Sequence, residues 1–236
     1  MVQVVFSPKW FWGKDIFIDV IALLVLLSIA VFATRYYKIK KSKNYLFLAI
    51  SFCLIALSFF SKILINFTIY YQVLHTKVIG SMTYTQTILQ SSEILSFSGL
   101  FLYRLFTLLG LYMLYSIYEK QSKANIVLLI YFIIVSIFFS KEEYYIFYLT
   151  CFILFAIISN RFYQNYGKNK EKASAMLAAS FSVITISQAF FMLVNFTKHF
   201  YVAGEVVQLI GYVILLTAFV TVLRHGREKN KGRHNR

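Results

Sequence analysis

The sequence predicts an all-α polytopic membrane bundle of seven transmembrane helices, with the N-terminus outside and the C-terminus in the cytoplasm. Three observations carry that prediction. Of 236 residues, 59% are hydrophobic and only 14% charged, against about a quarter charged in soluble domains. A water-soluble fold of this length could not cover so much apolar surface. The apolar residues also gather into runs near the ~20 residues that cross a bilayer core, and the basic residues gather into the short connections between them.

The first run, 15–34, follows the segment Ser7–Asp15 (SPKWFWGKD) and ends in the basic stretch RYYKIKKSK. It lacks a small-residue cleavage site and is followed by a stop-transfer pattern, so it is a span rather than a signal peptide. Trp10, Phe11 and Trp12 form an aromatic belt at the outer interface. The second run is 44–65, and its continuation NFTIYYQVL extends it as an outer helix that turns near Gly80 within the longest connection, 66–92. The third run is 95–118. The fourth and fifth, 124–140 and 144–160, are shorter and separated only by Lys141, Glu142 and Glu143. Two short helices with a tight turn fit that spacing, giving seven spans; a re-entrant pair would give six. The sixth, 174–196, places Ala175, Ala179 and Ser182 near one face for close helix packing. The seventh, 202–223, leads into a basic tail, 224–236, read as a disordered anchor at the inner face. The chain is one integral membrane domain, 1–236, without linker or visible repeat.

Orientation follows from the cations. Connections at 35–43, 119–123 and 161–172 and the tail hold seventeen of the 24 Lys and Arg residues. The opposite side holds Lys9, Lys14, Lys77, Lys141 and Lys198, while Lys62 and Arg104 fall at or within spans. Such a bias places the tail inside, at the plasma membrane. The same distribution removes nucleic acid as a partner of this +15 chain, because no basic face with interleaved aromatics remains outside the spans. The lipid bilayer is the implied partner. Abundant Ile, Phe, Tyr, Lys and Asn match an AT-rich prokaryotic genome. Cys53 and Cys151 read as small hydrophobes facing protein or lipid. The sequons at Asn66 and Asn195 lie too near the bilayer for glycosylation.

Ionisable and amide groups inside spans are costly, about 2.5–3.5 kcal/mol for a central Arg on insertion scales. The candidates are Asp19, Lys62, Arg104, Gln188, Glu205 and Gln208, with Glu93 and Asn195 near outer ends. Lys62 is expected to snorkel outward. From the ~1.5 Å helical rise, Arg104 and Gln188 lie about 4 Å outward of the midplane, and Asp19, Glu205 and Gln208 about 7–12 Å outward. Arg104 is therefore expected to contact Asp19, Glu205 or Gln208 in the outer half of the bundle. Glu205, Gln208 and Tyr212 share one helical stripe, flanked by Gly204 and Gly211, and Tyr103 adjoins Arg104. Asp19, Arg104, Gln188, Glu205, Gln208, Tyr103 and Tyr212 thus form a candidate site for a small polar or anionic ligand, or an architectural lock between helices.

No HExxH, GxSxG, paired-aspartate or Gly-rich phosphate motif is present, and the four histidines are scattered without ligand spacing. An enzyme, a metal and a cofactor are accordingly not expected. The Arg-containing third span FLYRLFTLLGLYMLY, the closing QLIGYVILL and the compact connections resemble prokaryotic orphan seven-span proteins of sensor type. The final span holds no lysine, which excludes a retinal-binding rhodopsin. The resemblance implies ligand or membrane-state sensing and a membrane or signalling partner. A small-solute transporter or channel is the alternative, disfavoured because the sole proline is Pro8 and transporters commonly break helices at mid-membrane. An intramembrane enzyme of unrecognised type is the third reading.

Overall fold

The computed structural model describes residues 7–75, 82–118, 127, 130, 131, 133–137, 144–170 and 172–234. The described residues are helical throughout, joined by turns. A single 3-10 turn, Lys9–Phe11, precedes α1 (Lys14–Lys40), α2 (Lys43–His75), α3 (Met82–Tyr118), α4 (Tyr144–Asn169), α5 (Lys172–Met192) and α6 (His199–His234). Each of the six contains a segment long and apolar enough to cross a bilayer, so the chain is a multi-pass integral membrane protein. Phe17, Leu24, Phe60, Leu64, Ile153 and Val213 are large, apolar and exposed, the surface that meets lipid.

The helix ends obey local chemistry. Gly13 precedes α1 at φ 82, a left-handed conformation that costs glycine nothing. Lys41 closes α1 at φ 49, donating its N–H to the Tyr37 carbonyl at 2.7 Å. Lys170 closes α4 in the same way, at φ 51 with its N–H on Tyr166 at 2.7 Å. Both are left-handed caps that satisfy an end carbonyl.

Sequential helices touch in order, and α6 returns to α1, so the six close into a ring. Contacts fix their directions. Lys62 meets Asp19 and Tyr45 meets Tyr36, making α1 and α2 antiparallel. Gly99 faces Ile65 and Gly110 faces Ile55, which does the same for α2 and α3. Tyr148 stacks on Phe191 and Phe162 on Phe181, so α4 and α5 are antiparallel. Phe191 meets Tyr201 and Ile184 meets Gly211, so α5 and α6 are too. Phe52 against Phe219 and Phe59 against Tyr212 make α6 antiparallel to α2. Helices α1, α3, α4 and α6 therefore point one way, and α2 and α5 the other. One end is aromatic, with Trp10, Trp12, Tyr70 and Tyr201; the other is basic, with Lys38, Lys40, Lys43, Lys168 and Lys172.

Helices run longer than the predicted apolar runs. The outer extension of the second run continues to His75, and α3 begins at Met82 rather than 95. The predicted turn near Gly80 and the Lys141–Glu143 turn lie outside the described residues. Of the 124–140 run, residues 127, 130, 131 and 133–137 are helical, and Ile133 belongs to the central core. The tail is corrected: instead of disorder, α6 continues through it to His234. Arg, Glu and Lys are good helix formers and no proline interrupts them.

In lipid, the hydrophobic effect does not drive helices together; close packing and polar contacts do. Glycine provides the closest approaches. A Cβ on Gly110 would lie 2.6 Å from Ile55 Cγ1 and 2.9 Å from the Ser51 carbonyl. A Cβ on Gly211 would lie 2.5 Å from Ile184 Cγ1. On α5 the packing face is Ala178 and Ser182, which meet Ser159 Oγ at 3.1 and 2.7 Å; Ala179 is exposed. Cys53 is exposed and Cys151 buried, both free thiols.

Candidate functional site

Three helices each bring a polar stripe to the aromatic end. Asp15 and Asp19 are one turn apart on α1; Lys62, Asn66 and Tyr70 follow at i, i+4 and i+8 on α2; Tyr201, Glu205, Gln208 and Tyr212 line α6. Where the stripes meet, Lys62 Nζ donates to Asp19 Oδ1 at 2.8 Å and to Glu205 Oε1 at 2.5 Å. Asp19 is 0%, Glu205 1% and Lys62 9% exposed, so all three charges lie inside the bundle. The Asn66 amide approaches the second Asp19 oxygen at 3.5 Å.

Aromatic rings enclose the ammonium. Phe59 and Tyr201 place their faces 5.6 and 6.0 Å from Lys62 Nζ, a range at which the ring quadrupole attracts a cation. One turn nearer the helix start, the Tyr70 hydroxyl donates to Asp15 Oδ2, and the Ile16 N–H donates to Asp15 Oδ1 at 2.9 Å. Burial first, and then that hydrogen bond, raise the Tyr70 phenol above its ordinary value. Trp12 stacks on Tyr70 with centroids 5.1 Å apart and donates its indole N–H to the Ser7 carbonyl at 3.0 Å. Below the triad, Gln208 Nε2 reaches the Tyr212 hydroxyl at 3.5 Å, and Phe59 meets Tyr212 edge to face at 5.5 Å.

Two expectations are overturned here. Lys62 does not snorkel: it is the cation that holds Asp19 and Glu205, because two carboxylates and two rings offset the desolvation of its ammonium. Arg104 makes no ion pair or hydrogen bond with Asp19, Glu205 or Gln208. Its guanidinium lies 5.9 Å over the Phe147 ring, and its electrostatic neighbours among the described residues are Tyr148 and Tyr103. The reason is azimuth. Helical rise gives depth but not position around the ring, where α3 adjoins α2 and α4 while α6 adjoins α1 and α5 and also meets α2 through Phe219 and Tyr212. Helix α2 reaches both carboxylates, and α3 does not.

The predicted cluster therefore divides. Asp19 and Glu205 join Lys62; Gln208 and Tyr212 sit one turn deeper on the same stripe. Gln188 is buried in α5, with Nε2 on Ser187 Oγ at 3.1 Å. Arg104 and Tyr103 belong to the α3–α4 seam, where Tyr103 meets Phe147 at 5.5 Å. Tyr148 relates the two groups, lying within electrostatic range of Lys62, Glu205 and Arg104. The 62, 66, 70 spacing was the sequence signal for Lys62, since a lysine that opens an i+4 polar stripe faces a partner helix. Glu93's side chain lies outside the described residues, and Asn195 is exposed in the turn after α5. Among the described residues, no three His, Cys, Asp or Glu side chains are placed to hold a metal. No protein-family model, curated protein or solved structure matches this chain.

Proposed function

We propose that the chain is a seven-span protein of the plasma membrane, N-terminus outside and tail inside, of sensor or accessory type. In this reading it binds a small anionic ligand at Arg104 in the outer half of the α3–α4 seam. The parallel course of α3 and α4 supports the seventh span. After α3 ends, residues 119–143 have to return to the end where α4 begins, and 25 residues of helix would cover about 37 Å, more than the ~30 Å hydrocarbon core. The orientation rests on the cation bias of the sequence, seventeen of the 24 Lys and Arg residues falling in the connections and tail read as inner, and Lys38, Lys40, Lys43, Lys168 and Lys172 lying at the basic end. The basic extension of α6 to His234 suits anionic lipid or a signalling partner at the inner face.

Arg104 is the observation that carries the ligand reading. It lies in the Phe97–Ile117 span, half-buried, with tyrosines rather than a carboxylate around it among the described residues. A guanidinium at such depth is expensive. A ligand carboxylate or phosphate would offset that cost through a bidentate, charge-assisted pair, with Tyr103 and Tyr148 as flanking hydroxyls.

A thermal-unfolding screen of the protein in nanodiscs against small carboxylates and phosphates tests this. At least one anion should raise the midpoint in the unaltered protein and not in Arg104→Met. A panel without effect, or an effect that survives Arg104→Met, refutes the assignment. Uptake of the active anion into proteoliposomes would assign transport instead, which the unbroken course of the described helices disfavours. Orientation is tested separately with an impermeant thiol reagent on single cysteines at Lys168 and Lys198, in a background lacking Cys53 and Cys151. Labelling at 198 and protection at 168 in intact cells is the predicted pattern.

A further inference from the structure

Asp19, Lys62 and Glu205 carry, fully ionised, one negative charge more than they neutralise. From this geometry we propose that the triad is a proton-binding site in which the two carboxyls share one exchangeable proton. The same ammonium bonds both acids, at 2.8 and 2.5 Å, so their oxygens lie no further apart than the two bonds together. Like charges so close and so buried do not both ionise without a compensating cation. One ammonium compensates one carboxylate, and the other is left over.

Among the described residues, no further cation pairs with the triad. On α1, Asp15 adds a carboxylate one turn away, and it already has the Ile16 N–H, the Tyr70 hydroxyl and the start of the helix to stabilise its charge. Helix α2 otherwise presents Asn66 and Tyr70, and α6 presents Tyr201, Gln208 and Tyr212. Among the described residues, the further titratable groups in electrostatic range are Tyr148 on α4 and Tyr103 on α3, with the Cys151 thiol beside them, all uncharged at neutral pH. Arg104 on α3 has tyrosines for electrostatic neighbours among the described residues.

The proton comes from water and returns to it; no bond other than O–H forms or breaks. Protonated, the triad is neutral, with a carboxylic acid, a carboxylate and an ammonium. Deprotonated, Asp19 and Glu205 compete for Lys62 and repel each other across the α1–α6 contact, so proton release should loosen α6 from α1. The inference rests on the triad alone and holds whether or not Arg104 binds an anion.

The chain contains only two aspartates, Asp15 and Asp19, which makes infrared spectroscopy decisive. We expect a protonated-carboxylic-acid C=O stretch from the full-length protein in nanodiscs at neutral pH. It should shift in D2O, vanish on alkaline titration while the protein stays folded, and disappear in Glu205→Gln or Asp19→Asn but persist in Asp15→Asn. Should the variants not fold, carboxyl-13C labelling of aspartate and of glutamate in the unaltered protein asks whether the band belongs to either residue type. Absence of any protonated carboxyl throughout the folded pH range overturns the proposal, including the case in which sodium fills the charge deficit. So does a band indifferent to both Asp19→Asn and Glu205→Gln, or one lost in Asp15→Asn alone.

Discussion

Two cations sit inside the spans under different rules. Lys62 lies where three helices meet, bonded to two carboxylates and flanked by two rings. Arg104 lies where α3 meets α4, beside Phe147 and two tyrosines, with no carboxylate among its described neighbours. The first ties helices together, and its removal strands charge. The second bonds no acid among the described residues, so its removal strands none of them. Burial alone therefore does not tell a cation paired with acids from one set among rings; what surrounds it does.

The largest expected effect lies on the lysine side. Lys62→Met removes the cation bonded to both buried carboxylates and should destabilise the protein by about 3–5 kcal/mol, the cost of breaking a buried pair. Unfolding in mixed detergent micelles would read this, and a loss under ~1 kcal/mol would mean the triad is not the tie described here. Next comes Tyr70→Phe, which leaves Asp15 without a hydroxyl donor and should cost about 1.5–3 kcal/mol. Tyr70 also has a pH signature. Because its folded phenol is raised, its contribution is fully present below the ordinary tyrosine value near ~10 and is lost as pH rises through the folded value. Alkaline destabilisation should therefore be smaller in Tyr70→Phe than in the unaltered protein.

The α3 side is held by close approach rather than by charge. Gly110→Ala, whose new Cβ would meet Ile55 and the Ser51 carbonyl, should cost about 1–3 kcal/mol through overpacking. The smallest effect belongs to Arg104→Met. It should be neutral or slightly stabilising, since it removes a guanidinium from bilayer depth without orphaning an acid, while abolishing anion-dependent stabilisation. A loss as large as that of Lys62→Met would place Arg104 in the architecture.

Much of this fold is legible in the sequence because lipid simplifies the rules. Apolar runs have to be helices there, and six of the seven predicted runs coincide with described helices long enough to cross. The stripe of Glu205, Gln208 and Tyr212 was readable because spacing within one helix fixes its face. The partner of that stripe was not. Asp19 and Glu205 were read at a similar level of the bundle, and one ammonium does reach both, yet the choice between Lys62 and Arg104 depended on which helices neighbour α6, and ring order leaves no mark on local periodicity. Helix lengths were underread for a related reason. The extensions beyond the apolar runs, such as residues 82–94 of α3 and the basic end of α6, hold polar residues that hydropathy treats as loop although their helix propensity is adequate.

The most direct test of the contrast between the two cations is a pair of double-mutant cycles on Glu205. Unfolding free energies are measured for Lys62→Met, Arg104→Met and Glu205→Gln, and for each cation variant combined with Glu205→Gln. The predicted result is a coupling between Lys62 and Glu205 of about 1–3 kcal/mol, within the range for residues in one ion network, and additivity within about 0.5 kcal/mol for Arg104 and Glu205. Coupling of Glu205 to Arg104 as strong as to Lys62, or none to Lys62, would contradict the account.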